Sequence, residues 1–204
     1  MINHEYRFIF VHINKTGGTS IERVFCANDA ELDIPEKHAT IRRFSKLHPK
    51  EFQSYFKFSF VRNPFDWLVS RYFWSKDLIF KCYSKVTGPQ IDYSFEEFID
   101  RVANDRPWCE PAAWSLTAVR PQLDRLTIDG KLAVDFVGKY EQLQTDFDKI
   151  CEQCQIPKVI LPHYFKTKRE HYGSYYTGEL IEKVVTKYAC DFDTFGYDKT
   201  PQSK

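Results

Sequence analysis

The stretch from Val11 to Ser20, Val-His-Ile-Asn-Lys-Thr-Gly-Gly-Thr-Ser, constrains this chain more than any other. Ahead of it Phe8, Ile9, Phe10, Val11 and Ile13 form a short apolar run that predicts a buried strand; beyond it Ile21, Val24 and Phe25 recur at helical spacing. A strand, a turn and a helix start are therefore expected in quick succession. The adjacent Gly17 and Gly18 permit backbone angles that other residues resist, and they let main-chain N–H groups converge at the positive end of the new helix. Such a turn attracts an anion, most often a phosphate. Lys15 adds a mobile charge, Thr16, Thr19 and Ser20 add hydroxyls, and Thr19-x-x-Glu22 has the spacing of a capping box. A tight strand-to-helix turn with a surface lysine is the plainer reading, but the crowding of these groups favours an anion site.

A second junction of the same kind follows. Phe56 to Val61 reads as a buried strand and runs straight into Arg62-Asn63-Pro64-Phe65-Asp66, where Asn63 suits an N-cap, Pro64 the first helical position and Asp66 the capping-box position. Arg62 stands at its mouth, and the guanidinium fork can make two parallel charge-assisted bonds to a phosphate. Ser70, two turns into the helix, is placed to join it. Taken singly, Arg62 could equally pair with an acidic neighbour and Ser70 could be an ordinary helix residue. Together the two junctions suggest a ligand with two separate anionic groups.

Between them, Ile41, Phe44 and Leu47 predict a helix ending near Pro49, with His38 at its entrance. Ser94-x-x-Glu97 opens another helix, and Asp129-Gly130 between short apolar runs predicts a hairpin. Val159 to Leu161 reads as a last short strand, 162–176 as a loop dense in charge and tyrosine, and 178–189 as a closing helix. Alternating strands and helices imply a single α/β domain over 1–204, with a mainly parallel central sheet flanked by helices and ligands at the strand C-terminal ends.

Lys and Arg total 29 against 28 for Asp and Glu, so no global field draws the chain to nucleic acid or to an anionic membrane, and any anion site must be local. Met1 to Tyr6 is polar and lacks the apolar core of a signal peptide, and no run approaches a membrane span, so a cytoplasmic location is expected. Cys151 and Cys154 form a C-x-x-C, but Leu143, Phe147 and Ile150 share their helix face, which points both thiols into the core. No second pair completes a zinc site.

His12-Ile13-Asn14-Lys15-Thr16-Gly17-Gly18-Thr19-Ser20 resembles the 5′-phosphosulfate loop of sulfotransferases that use 3′-phosphoadenosine 5′-phosphosulfate (PAPS), and Phe60 to Tyr72 resembles their 3′-phosphate motif. Weaker echoes at Val137 to Glu141 and from Tyr175 to Tyr197 extend the likeness over most of the chain, and the likeness is nearest to small relatives of the carbohydrate sulfotransferases. Asn14 departs from the family, which usually has proline there.

The resemblance implies the nucleotide-binding, P-loop-like sulfotransferase fold. It assigns the 5′-phosphosulfate to Lys15, Thr16, Gly17, Gly18, Thr19 and Ser20, and the 3′-phosphate to Arg62 and Ser70. Lys15 would also balance charge on the leaving oxygen, with 3′-phosphoadenosine 5′-phosphate (PAP) as product and no metal required. His38 is the chosen base for the acceptor hydroxyl of a carbohydrate or small metabolite; it lies where related carbohydrate sulfotransferases place their catalytic histidine, and His12 is its competitor. Lys168 and Arg169, with Lys166, lie in a late loop that folds over the cofactor in the family; a solvated loop is the alternative. A nucleotide-dependent kinase is the rival activity, with Leu132 to Asp135 as a magnesium-binding strand end, but its lysine follows the second glycine, whereas Lys15 precedes both. A non-catalytic anion-binding module on the same fold is the second alternative. Tyr83, Tyr93, Trp108 and Trp114 are expected to help shape the acceptor site, and oligomeric state is not readable.

Overall fold

Strand β2, Phe8–Val11, is buried along its whole length, as is the later half of β3, Phe56–Val61. Both match the apolar runs in the sequence. The structure, a computed structural model, describes residues 1–26, 36–83, 94–107, 116–162 and 169–202. These fall into two compact units: Met1–Arg62 with Gln122–Phe165, and Asn63–Pro121 with Lys166–Lys204.

The first unit carries a four-stranded sheet. Strand β1, Ile2–Asn3, pairs with β2, which pairs with β3, which pairs in turn with a strand formed by Phe136–Lys139. The sheet is mixed where a mainly parallel one was expected: β2 and β3 are parallel, as are β3 and the Phe136–Lys139 strand, but β1 runs antiparallel to β2. The connection from Asn3 to Phe8 is too short for a parallel crossover, so the chain must fold straight back. Helix α1, Gly18–Phe25, and a helix at Leu143–Cys154 flank this sheet, and Ile21, Phe147, Ile150 and Cys151 share one core with Phe8, Phe10, Phe58 and Phe60. Burying each of these side chains contributes roughly 1.5–3 kcal/mol. Helix α2, Ile41–Leu47, begins at Thr40, whose hydroxyl accepts from Arg43 N at 3.3 Å, and α3, Pro49–Ser54, follows it.

The expected hairpin is present. Thr127–Ile128 (β4) pairs antiparallel with Lys131–Leu132 (β5) across Asp129 and Gly130, at φ 50° and 76°, the paired left-handed angles that Asp-Gly tolerates. The Phe136–Lys139 strand is therefore β6. Val159 to Leu161, by contrast, is not a strand. Gln144 donates to Val159 O at 3.0 Å and accepts from Leu161 N at 2.8 Å, so a side-chain amide takes up the hydrogen bonds that a neighbouring strand would have used.

In the second unit, α4, Pro64–Tyr83, is capped by Asn63, whose Oδ1 accepts from Phe65 N at 2.9 Å. Helix α5, Phe95–Ala103, is capped by Ser94. The Leu143–Cys154 helix being α6, the expected closing helix is α7 at Gly178–Lys187, and a further helix, α8 at Ala189–Phe195, follows it. Their core joins Phe65, Trp67 and Leu68 with Phe98, Val184, Tyr188 and Phe192. Two buried phenols anchor it, Tyr176 donating to Phe65 O at 2.8 Å and Tyr188 to Val119 O at 2.6 Å. Burial pushes both well above the ordinary tyrosine range. No described helix is long and apolar enough to cross a membrane.

Candidate functional site

Strand β2 delivers Lys15 to the turn with a left-handed backbone, φ 69°, which costs a non-glycine residue roughly 1–2 kcal/mol. Gly17 follows at φ 84° and stands as the N-cap of α1; a Cβ there would lie 2.8 Å from Leu143 Cδ2. Gly18 is required for a different reason. A Cβ on it would come within 2.2 Å of the His12 ring, so that ring and the first helical residue share one space. Thr16 is fully buried and its hydroxyl donates to Ile13 O at 2.8 Å. Its proton therefore closes the turn, which leaves the main chain as the means by which Thr16 serves a ligand. Thr19 is half-buried and Ser20 is buried.

The expected capping box is absent, because α1 begins at Gly18 with no side-chain cap. Glu22 instead points back to the strand, where its Oε1 lies 2.7 Å from His12 Nδ1, both residues almost wholly buried. The carboxylate accepts, so Nδ1 carries the proton. Lys37 Nζ stands 3.8 Å from Glu22 Oε2. Burial holds the His12 imidazole below its ordinary range, the hydrogen bond to Glu22 pulling the other way.

His38 does not cap α2, a role that Thr40 takes. Its ring packs edge-on to that of His12, with centroids 4.6 Å apart, and its Nδ1 is 3.4 Å from the His12 carbonyl oxygen. A carbonyl only accepts, so Nδ1 is the protonated nitrogen and Nε2 keeps its lone pair. The residue as a whole is exposed, yet the loss of water around its ring, with His12 beside it, pushes the imidazole down to about 3. His38 is thus neutral with a free base nitrogen at ordinary pH.

Arg62 ends β3 and is buried. Its backbone is clamped by Gln122, which accepts from Arg62 N at 2.9 Å and donates to Arg62 O at 2.8 Å. Its guanidinium lies over the Tyr140 ring, 3.9 Å from the centroid, and Nη1 donates to Lys15 O at 3.0 Å. The two sequence motifs therefore meet within the first unit. In the second unit Ser70 is buried on α4. Arg169 pairs with Asp66 at 2.6 Å and has one buried nitrogen, Nη1, with no hydrogen-bond partner among the described residues. Lys168 lies outside the described residues, as do Tyr93, Trp108, Trp114 and the side chain of Tyr83.

The remaining candidates serve the fold. Burial raises both thiols of the C-x-x-C, Cys154 to about 11 with Cys151 adding to it. Asp135 precedes β6 rather than ending a strand, and its carboxylate accepts from Lys57 N at 2.7 Å. Among the described residues no cluster of three His, Cys, Asp or Glu is placed to hold a metal ion.

A family model described as the sulfotransferase family matches residues 1–198. The chain belongs to the sulfotransferase family. Membership brings with it PAPS as the family's sulfuryl donor. Among sulfotransferases, carbohydrate sulfotransferase 14 of Danio rerio is 26% identical to this chain, over 97% of the chain and 61% of its own length. Carbohydrate sulfotransferase 10 of Rattus norvegicus is 21% identical, over 96% of the chain and 65% of its own length. An uncharacterized protein of Archaeoglobus fulgidus is 30% identical, over 57% of the chain and 81% of its own length. The chain spans less than two thirds of the length of these carbohydrate sulfotransferases. No solved structure matches.

The residues that sequence reasoning missed are Glu22, which it gave to a helix cap, and Tyr140 with Gln122, which it gave no role. A signal for Glu22 was present: a histidine inside an apolar strand needs a buried polar partner, and Glu22 is the acidic residue beside Ile21 on the next helix.

Proposed function

We propose that this chain moves a sulfuryl group from PAPS to a hydroxyl of a carbohydrate or small metabolite. The observation that carries the reading is the contact of His38 Nδ1 with His12 O at 3.4 Å. It ties a neutral imidazole with a free Nε2 to the residue three places ahead of Lys15, so that a base and a leaving-group cation belong to one local structure.

The residues present fit an anionic donor. Gly17 and Gly18 at the start of α1, the Lys15 ammonium, and Ser20 supply positive potential and hydrogen-bond donors for a phosphosulfate. The family resemblance gives the 3′-phosphate to Arg62 and Ser70 and further donor charge to Lys168 and Arg169. PAPS supplies an electrophilic sulfur on a good leaving group. His38 Nε2 takes the proton of the acceptor hydroxyl as the new oxygen–sulfur bond forms, a role worth roughly 10² to 10⁴-fold in rate. Lys15 balances the charge that gathers on the phosphate oxygen as the old sulfur–oxygen bond breaks. The carbohydrate acceptor is supported by the names of the vertebrate relatives.

Thermal shift with PAP against ADP plus magnesium, followed by turnover of PAPS, tests the reading. PAP at about 100-fold over its Kd should stabilise the chain by roughly 2.7 kcal/mol, a rise of about 5–11 °C. Stabilisation by ADP plus magnesium and not by PAP would sink it.

A further inference from the structure

The mechanism above uses His12 only through its carbonyl and leaves the buried His12–Glu22 side-chain pair without a part, and a buried carboxylate needs a reason. One of its oxygens, Oε1, accepts from His12; the other, Oε2, has no hydrogen-bond partner among the described residues and only Lys37 within ion-pair reach, at 3.8 Å. Retaining such a group costs more than an apolar pair of the same volume would. What the pair does is immobilise one residue. The His12 ring is stacked on Phe10, with centroids 5.6 Å apart and planes 13° from parallel, fills the space above Gly18, and is tied by Nδ1 to the second turn of α1. The same residue's carbonyl accepts from His38 Nδ1, and its ring meets the His38 ring edge-on. Arg125 Nη1 holds the other side of His38, donating to its carbonyl at 3.0 Å.

We propose that Glu22 and His12 are positioning residues for the base: the carboxylate fixes the His12 ring and carbonyl, and these hold His38 with the proton on Nδ1 and the lone pair on Nε2. This rests on the sulfuryl-transfer reading for its catalytic use, but the positioning itself is a property of the protein without substrate. A histidine free to exchange tautomers would spend part of its time with a proton where the acceptor's proton must go. By fixing His12, Glu22 also ties the base to the glycine turn, since both are built against one imidazole.

The variants are Glu22→Leu, which fills the volume and accepts nothing, and Glu22→Gln, whose amide oxygen still accepts from His12 Nδ1. The charged and titratable groups facing the two rings are Glu22 itself, Lys37, Arg125 and the amino group of Met1, which lies near Glu36. Only the first is altered. The ¹⁵N shifts of His38, read by NMR on the chain without ligand, should report protonated Nδ1 in the wild type and in Glu22→Gln, and a mixture of tautomers in Glu22→Leu. Turnover of PAPS by Glu22→Leu should fall roughly 100-fold in kcat, the scale of a small misplacement of a reacting group, with KM for PAPS little changed and the acid limb of kcat moved upward. Glu22→Gln should restore most of it. Unchanged His38 shifts in Glu22→Leu would overturn the proposal, and so would a fall in kcat and Tm with a rise in KM in both variants and the acid limb unmoved. A wild type that shows the tautomer, loses it in Glu22→Leu and turns over no PAPS would overturn the sulfuryl-transfer reading and leave the positioning device standing.

Discussion

Arg62 Nη1 donates to the carbonyl oxygen of Lys15 at 3.0 Å, while the same guanidinium lies over Tyr140, 3.9 Å from the ring centroid. Lys15 holds a left-handed backbone, and the charge-assisted bond to its carbonyl offsets part of the cost of that angle. Arg62→Lys keeps a positive charge but cannot stack and fork at once. Losing a hydrogen bond of this class costs roughly 1.5–3 kcal/mol, so PAP affinity should weaken about 10- to 100-fold by titration calorimetry. Undiminished affinity would mean that the clamp on Lys15 plays no part in holding the donor.

Lys15 itself is expected to act on the leaving group more than on binding. Lys15→Ala should lower kcat by roughly 10² to 10³-fold, the scale for removing one group that stabilises a developing charge. Its effect on PAP affinity should be smaller. A loss confined to binding would reduce the loop to a cradle.

For His38, replacement by Asn should lower kcat by about 10² to 10⁴-fold and leave PAP binding intact. Because the folded imidazole is pushed down to about 3 from its ordinary 6.5, it stays neutral well into acid, and the acid limb of kcat should lie well below 6.5. The same shift has a sign for stability. Between those two values the unfolded chain binds the proton and the folded chain does not, so this contribution is fully present above 6.5 and is lost as pH falls toward 3. His38→Asn should therefore flatten the acid decline of Tm relative to the wild type; parallel curves would show the ring to be ordinarily solvated.

Gly18 offers a test of packing alone. An added methyl would overlap the His12 ring, and overpacking of this kind costs roughly 1–3 kcal/mol, so Gly18→Ala should lower Tm by several degrees. At Gly178, the first residue of α7, a Cβ meets nothing within 4 Å, so Gly178→Ala should leave Tm unchanged or raise it slightly. Equal effects at the two positions would contradict the contact with His12.

Local chemistry was legible in the sequence wherever one segment decides its own shape. The apolar run Phe56–Val61, the Ser94 and Asn63 caps and the Asp-Gly hairpin all formed as their residues dictate. The errors came where a distant side chain outbid a local preference. Gln144 took the hydrogen bonds of Val159 and Leu161, His12 drew Glu22 away from the helix start, and the short return from Asn3 imposed an antiparallel edge. The candidate site divided along the same line. Lys15, Arg62 and His38 could be named from their motifs, but their mutual arrangement through His12 O and Lys15 O depends on backbone acceptors, which leave no trace in residue identity.

Gln122 grips Arg62 by both backbone groups, N–H and carbonyl, where the chain leaves the first unit and where it comes back. The last residue of the first unit's opening segment and the first residue of its return are thus latched together by one carboxamide. The latch fixes where β3 ends, and with it the guanidinium that reaches the Lys15 carbonyl. One side-chain amide thus ties the end of β3, the glycine turn that Arg62 reaches and the return of the chain into a single piece.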